Sequence, residues 1–166
     1  MPDKRTIDKA REDRREGKSA STQAGEFVRA QIDKIRRGVH GARSARQAIA
    51  IGLSEARRAG VDLPPPRRGK TKRSTRKSAK YAYAVGQGKR KPRRRPRVSR
   101  AVEGVLKREP RRSASHRSLL RQGRSAAARR SSAQRSAAAR KAARTKGAAG
   151  RSAAAKKAAR TRARRR

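Results

Sequence analysis

The chain has 166 residues, of which 53 are basic and 11 acidic, so its formal net charge is +42. Such an excess of like charge destabilises a compact state in isolation and favours a polyanionic partner. The hydrophobic residues include 32 alanines, and the 21 larger apolar side chains end at Leu120, which leaves the last quarter of the chain without core-forming residues. The absence of cysteine excludes disulfides and thiolate metal sites. The N-terminus lacks the apolar stretch of a secretory signal, so we expect a soluble, cytoplasmic protein.

Charge divides the chain into two parts. Residues 1–62 hold 15 basic and 9 acidic residues, whereas residues 63–166 hold 38 basic and 2 acidic residues. Low bulk hydrophobicity with high net charge is typical of chains that cannot offset their ordering entropy by burial. The predicted fold is therefore a small all-α N-terminal module, a helical hairpin of two to three helices, followed by a largely disordered basic tail with transient helices.

Two helices are predicted before residue 40. The segment "TIDKAREDRREG" mixes both charge signs at helical spacing and ends at Gly17, which indicates an exposed helix. The segment "STQAGEFVRAQIDKIRRG" ends at Gly38 and is amphipathic. Phe27 flanks its apolar stripe, which is formed by Ala24, Val28, Ile32 and Ile35.

A third helix is predicted over about 45–59. Ser44 and Gln47 have the spacing of a capping box, and Gly60 followed by Val61 is typical of a Schellman ending. The prolines at 64–66 prevent continuation of the helix. Small residues on one face of this helix would let a second helix approach closely, so we expect helices two and three to pair across "GVHGAR".

The remaining chain falls into three predicted segments. After the module at 1–63, residues 64–98 read as a basic, proline-rich linker with one short helix, and residues 99–123 as short helices beginning with a cap at Ser99. Such short helices are marginal alone and should be transient unless docked. Residues 124–166 form a low-complexity tail of Ala, Arg and Lys, in which "RSAAARKAART" recurs after sixteen positions with one change. We interpret this repeat as compositional, without a fold of its own.

The segment "GKRKPRRRPR" at 88–97 resembles the AT-hook, a motif that lies in the minor groove of A·T-rich DNA. The resemblance implies that Arg93 and Arg95 enter the groove, where the negative potential is enhanced. Arg94 stands where the motif has glycine, and its side chain would hinder close approach. The alternatives are a stiff basic linker that contacts phosphates from outside, or a nuclear-localisation-like signal.

Two further resemblances concern the ends of the chain. The tail, with "SAAARKAAR" and "SAAAKKAAR", resembles the C-terminal tails of linker histone H1 and of bacterial histone H1-like proteins. The stretch from Ser21 to Pro66 resembles a module of small, basic bacterial proteins that have been described only as DNA-binding. These resemblances imply a bacterial, nucleoid-associated protein, or a nuclear one if the source is eukaryotic.

The basic residues of the linker and tail are the candidate nucleic-acid contacts. On a helix, Arg140, Lys141 and Arg144 would lie opposite an arc of alanines, and we expect the disordered tail to gain helix on DNA or RNA. Binding should be largely independent of sequence, because a flexible tail holds no fixed register. The candidate residues are Lys89, Arg90, Lys91, Arg93, Arg94, Arg95, Arg97, Arg129, Arg130, Arg135, Arg140, Lys141, Arg144, Arg151, Lys156, Lys157, Arg160, Arg162, Arg164, Arg165 and Arg166.

Several function classes can be compared on this basis. Histone H1-like compaction or bridging of DNA is the leading hypothesis, with DNA favoured over RNA and with a homodimer or protein contact through the N-terminal helices. An RNA- or ribosome-associated protein is the alternative. Membrane binding is disfavoured because the tail lacks an apolar face. His40 and His116 stand far apart without clustered acids, so we expect no metal, no cofactor, no small-molecule substrate and no enzymatic activity.

Overall fold

The computed structural model describes residues 3–93 and 95–164. Within these ranges the chain forms seven α-helices and one short 3₁₀-helix (η1), and it divides into the compact units Met1–Gln122 and Gly123–Arg166. The helices in chain order are α1 (Lys4–Arg15), α2 (Ala20–Arg36), α3 (Ala45–Arg58), α4 (Arg73–Gly86), α5 (Pro96–Arg108), η1 (Arg111–Ala114), α6 (His116–Ala128) and α7 (Ser132–Ala163).

The three N-terminal helices form where the sequence predicts them, but the prediction that the first is exposed is wrong, because α1 buries Ala10 in the first core cluster. The Asp3 carboxylate accepts a hydrogen bond from the backbone N–H of Arg5 at 3.2 Å and caps α1. The Ser44 hydroxyl accepts from the N–H of Gln47 at 3.2 Å and caps α3, but the Gln47 side chain accepts from the N–H of Arg43 at 2.8 Å instead of that of Ser44, so only half of the predicted capping box forms. At the other end of α3, the N–H of Val61 donates to the carbonyl of Ala56, which is the expected Schellman bond.

The predicted α2–α3 hairpin is present and contains the first core cluster. Phe27, which the sequence placed beside the apolar stripe, is fully buried at the centre of this cluster and packs with Ala24, Ala56 and Val61. A Cβ built on Gly52 would lie 2.7 Å from the Cα of Val28, so α3 approaches the backbone of α2. The small face of α3 therefore brings the helices close together, as expected.

The turn between α2 and α3 carries a second cluster, which buries Ile35, Ala42, Ala48 and Ala114. The N–H of Gly41 donates to the carbonyl of Leu106 at 2.8 Å, so the end of α5 lies against this turn. The α5 helix begins at Pro96, and the prediction of a cap at Ser99 is wrong, because the fixed φ of proline suits the first helical turn.

Helix α4 docks against α3. Its buried face consists of Ala79 and Ala82, and Gly86 lies against the carbonyl of Arg57 so closely that a side chain would overlap it. The Tyr83 hydroxyl donates to the Asp62 carboxylate at 2.6 Å, and this hydrogen bond raises the pKa of Tyr83. Docking of this kind supplies the stability that a fourteen-residue helix lacks alone.

Several polar side chains are buried in this unit beside the apolar clusters, and Arg57 and Gln31 are two of them. The Arg57 Nε donates to the carbonyl of Leu63 at 3.1 Å, and burial lowers the pKa of this guanidinium. Gln31 is 2% exposed and donates to the Glu55 carboxylate at 2.6 Å, and its Oε1 lies 3.0 Å from the Nε2 of His40. Because buried polar groups need partners, these hydrogen bonds fix how the loops after α2 and α3 pack.

The prediction of a disordered tail is wrong, and so is the description of the chain as intrinsically disordered. Helix α7 covers Ser132–Ala163, and Ser131 and Gln134 form a complete capping box at its start. The prediction relied on burial and neglected local propensity. Alanine is the strongest helix former, and neither segment of α7, before or after its break at Gly147, is shorter than the roughly 12 to 15 residues below which an isolated helix is marginal. The alanines that are too small for a core are thus well suited to a helix.

Candidate nucleic-acid interface

The unit Gly123–Arg166 exposes a high density of positive charge. Its sequence contains 16 basic and no acidic residues, and every Lys and Arg among its described residues is exposed. Arg165 and Arg166 lie outside the described residues. The structure exposes the other candidates of this unit, namely Arg129, Arg130, Arg135, Arg140, Lys141, Arg144, Arg151, Lys156, Lys157, Arg160, Arg162 and Arg164.

The two copies of the repeat adopt the same local structure. The first copy, Arg135–Thr145, and the second copy, Arg151–Thr161, are both helical. The Thr145 hydroxyl donates to the carbonyl of Lys141 at 2.9 Å, and the Thr161 hydroxyl donates to the carbonyl of Lys157 at 3.0 Å. The repeat therefore has a structure of its own, which corrects the interpretation that it is only compositional.

The leading arginine of each copy binds a carbonyl that precedes the copy. Arg135 Nη1 donates to the carbonyl of Arg130 at 3.2 Å, and Arg151 Nη1 donates to the carbonyl of Ala143 at 2.7 Å. Ala143 lies in the last turn before Gly147, where carbonyls lack intrahelical donors that arginine can supply, whereas Arg130 lies in the loop before α7. Since a guanidinium has five N–H donors, each of these arginines keeps others for an anion.

Helix α7 is broken between the two copies. Gly147 has φ 63° and ψ 176°, a non-helical conformation inside α7 that is almost confined to glycine. The first copy lies before this break, on residues 132–146, and the second lies after it, on residues 148–163. The two copies are therefore separate helical segments joined at one glycine.

Each segment carries a basic face. At about 100° per residue, Arg140, Lys141 and Arg144 fall on one side of the first segment. The equivalent side of the second segment is an exposed surface formed by Ala153, Lys156, Lys157, Arg160, Thr161 and Arg164. Alanine is short, so the long basic side chains extend beyond it and are accessible to an anion.

The AT-hook-like segment lies in the unit Met1–Gln122, against α4. The Tyr81 hydroxyl accepts a hydrogen bond from the backbone N–H of Arg93 at 2.7 Å, and the Arg90 guanidinium lies 5.2 Å from the centre of the Tyr81 ring. Lys89, Lys91 and Arg95 are exposed.

The second half of the AT-hook-like core differs from an extended motif. Pro96 begins α5, so Arg97 is helical, and Arg94 lies outside the described residues. The structure therefore places Arg90 and Arg93 beside Tyr81 and the candidates from Arg135 to Arg162 on α7, whereas Arg129 and Arg130 lie between α6 and α7. Tyr81 and Gly147 were missed by the sequence reasoning, although a lone aromatic next to a basic run and a glycine between two repeats were available signals.

Among the residues that the structure describes, no group of three or more His, Cys, Asp or Glu side chains could hold a metal ion. In those same parts of the chain, none of the helices has the length and apolar composition to cross a membrane. Asp13 and Glu16 instead bind Lys18, at 2.7 and 2.6 Å, and these hydrogen bonds raise the pKa of its ammonium group.

The described residues define an all-α protein with a folded helical unit and an exposed basic helical unit. Residues 3–68, which include α1, α2 and α3, match the model of a family of unknown function, DUF6496. No curated protein and no solved structure matches the chain. These comparisons do not support the resemblance to histone H1 or to the AT-hook; the family match over residues 3–68 is what they establish.

Proposed function

We propose that this protein binds nucleic acid, and duplex DNA in particular, by neutralising phosphates without reading the base sequence. The observation that carries the proposal is the basic unit Gly123–Arg166, which contains no acidic residue and whose described residues are mostly helical and exposed. Duplex DNA carries one negative charge per roughly 1.7 Å, so 16 cations match the phosphates of about 8 base pairs.

The shape of α7 favours DNA over double-stranded RNA. The major groove of B-form DNA is about 12 Å wide and admits an α-helix, whereas the major groove of A-form RNA is too deep and narrow for side chains to read. Since most positions between the basic residues of α7 are alanine, this helix is slimmer than an average one. A slim helical segment of α7 can bring its backbone close to the floor of the major groove and its basic side chains to the flanking phosphates.

Arginine can contact guanine, but the other side chains suited to reading bases are scarce in this unit. Its single amide side chain, Gln134, is held in the capping box of α7, and the unit contains no aromatic residue. Stacking on single strands needs aromatic platforms. Tyr81, in the other unit, is already occupied by Arg90 and Arg93. These features support sequence-independent contact with the backbone.

The proposal extends to the role suggested by the histone H1-like tail, which is compaction or bridging of DNA in the nucleoid. The unit Met1–Gln122 would then be the folded body that joins bound tails, directly or through a homodimer. Helix α5 exposes Val98, Val102 and Val105, each about half-exposed, as a surface available for such contacts.

The test is the salt dependence of duplex binding by the full-length chain, measured by fluorescence anisotropy. The variant replaces six basic residues of α7 by glutamine, which keeps helix propensity and removes charge. We expect the slope of log affinity against log salt to fall in magnitude by about 5, since each lost phosphate contact contributes about 0.9. The six positions are Arg140, Lys141, Arg144, Lys156, Lys157 and Arg160.

The matched control removes the same charge from α1, which also has six exposed basic residues. We expect this control to keep most of the salt slope. Equal losses in both variants would show that net charge alone matters and would refute the role of α7. Stronger binding of structured RNA than of duplex DNA at the same salt would favour the RNA-associated alternative. The control positions are Lys4, Arg5, Lys9, Arg11, Arg14 and Arg15.

A further inference from the structure

We infer that Gly147 is a hinge that lets both copies of the repeat bind the same duplex. The inference rests on the proposed function, and it adds that the tail is bivalent and that one glycine controls this. Its evidence is the break in α7, the equivalence of the two copies on either side and the length of the repeat.

The length of the repeat makes the break necessary. On a continuous α-helix, an offset of sixteen residues corresponds to a rotation of about 1,600°, which leaves equivalent positions about 160° apart. The face of Arg140 and Arg144 would then point almost opposite to the face of Lys156 and Arg160. One duplex could contact only one of these faces, and the other would point to solvent.

The conformation of Gly147 removes this restriction. With φ 63° and ψ 176°, the chain leaves the helical path at Gly147, so the second segment is not held in the rotation of the first. The hydrogen bond from Arg151 Nη1 to the carbonyl of Ala143, at 2.7 Å, spans the break and stabilises the bent arrangement. In this way the second basic face can be directed toward the partner that the first one binds.

Bivalence has a measurable consequence. When the first segment is bound, the second binds intramolecularly, and a short connection gives it a high effective concentration. Losing one face removes this gain. The second face carries Lys156, Lys157, Arg160 and Arg164, so its loss should reduce the salt slope by about 3 to 4.

The test uses four full-length proteins and one short DNA duplex, with affinity measured across salt. Gly147→Ala makes α7 continuous, since alanine cannot adopt the conformation of Gly147 without strain and is the best helix former. We expect it to weaken binding at least tenfold and to reduce the slope as stated. Adding two alanines after position 147 of this variant makes the offset eighteen residues, or about five turns, and should restore both quantities.

The control is Gly150→Ala, which raises helix propensity three residues away. Gly150 is helical, and a Cβ there would meet only the Cβ of Lys146 at 3.7 Å, an ordinary contact. It should bind like the wild type. Wild-type affinity for Gly147→Ala, or failure of the two-alanine insertion to restore binding, would overturn the inference while leaving the proposed function intact. If the wild type shows no salt-dependent duplex binding, the proposed function itself fails.

Discussion

The packing of α2 against α3 can be tested by adding one methyl group at Gly52. In an exposed helix interior, glycine to alanine stabilises by about 1 kcal/mol. At Gly52 the new Cβ would lie 2.7 Å from the Cα of Val28, 2.9 Å from its N and 3.0 Å from the carbonyl oxygen of Phe27. These atoms belong to the backbone of α2, so no side chain can rotate away, and the helices must move apart.

The size of the effect follows from two opposing terms. Overpacking of a core usually costs about 1 to 3 kcal/mol, and the upper part of that range applies here because the obstacle is backbone. Subtracting the propensity gain of about 1 kcal/mol leaves an expected destabilisation of about 1 to 2 kcal/mol for Gly52→Ala. Separation of α2 from α3 also loosens Phe27, which is fully buried between them.

The assay is urea unfolding followed by tyrosine fluorescence. The protein has no tryptophan, and both tyrosines, Tyr81 and Tyr83, lie in α4 within the folded unit, so the signal excludes α7. Urea is uncharged and does not screen the basic surface. The control is Gly25→Ala in α2, where a Cβ meets nothing within 4 Å and where we expect no loss of stability. Equal stability of the two variants would refute the close approach of α3 to Val28.

Two further predictions concern pH and the cap of α7. The hydrogen bond to Asp62 raises the pKa of Tyr83, so its stabilising contribution is complete below the unfolded-state pKa of about 10 and is lost as pH rises through the higher folded-state value. Urea unfolding at alkaline pH should therefore show a smaller loss of stability for Tyr83→Phe than for the wild type, and parallel curves would contradict this. Ser131→Ala removes the cap of α7, which should cost about 1 kcal/mol and lower helicity in far-ultraviolet circular dichroism, and unchanged helicity would argue against the capping box.

The N-terminal helices could be predicted because their signals are local. Ser44 and the Gly60–Val61 ending act within one helical turn, and the small residues of α3 directly indicate a close partner. The polar core contacts could not be predicted in this way. Gln31 reads as an ordinary polar position of α2, and its burial depends on Glu55, which is 24 residues away in the chain. A pattern of hydrophobicity contains no information on such a pair.

The candidate site shows the same division between local and distant signals. The basic character of the linker and tail was evident from composition, and the structure exposes those side chains. The arrangement beside Tyr81 was not evident from composition, because the turn after α4 is what brings Arg90 and Arg93 to the tyrosine. The order of α7 was missed for a different reason, since burial was treated as the only term that offsets ordering entropy.

An ordered α7 changes how its charges can act on a polyanion. A disordered segment that folds on binding must offset its ordering entropy at that moment, which lowers the affinity gained for a given interface. The alanines of α7 and the cap at Ser131 order the helix before binding, so less of the favourable electrostatic free energy is offset by the loss of conformational entropy. In a continuous rigid helix, however, the two basic faces have a fixed relative orientation, and a sixteen-residue repeat would place them on nearly opposite sides of the helix. A single glycine at 147 removes that fixed relation while both segments stay helical, which is why we regard its position between the copies as functional.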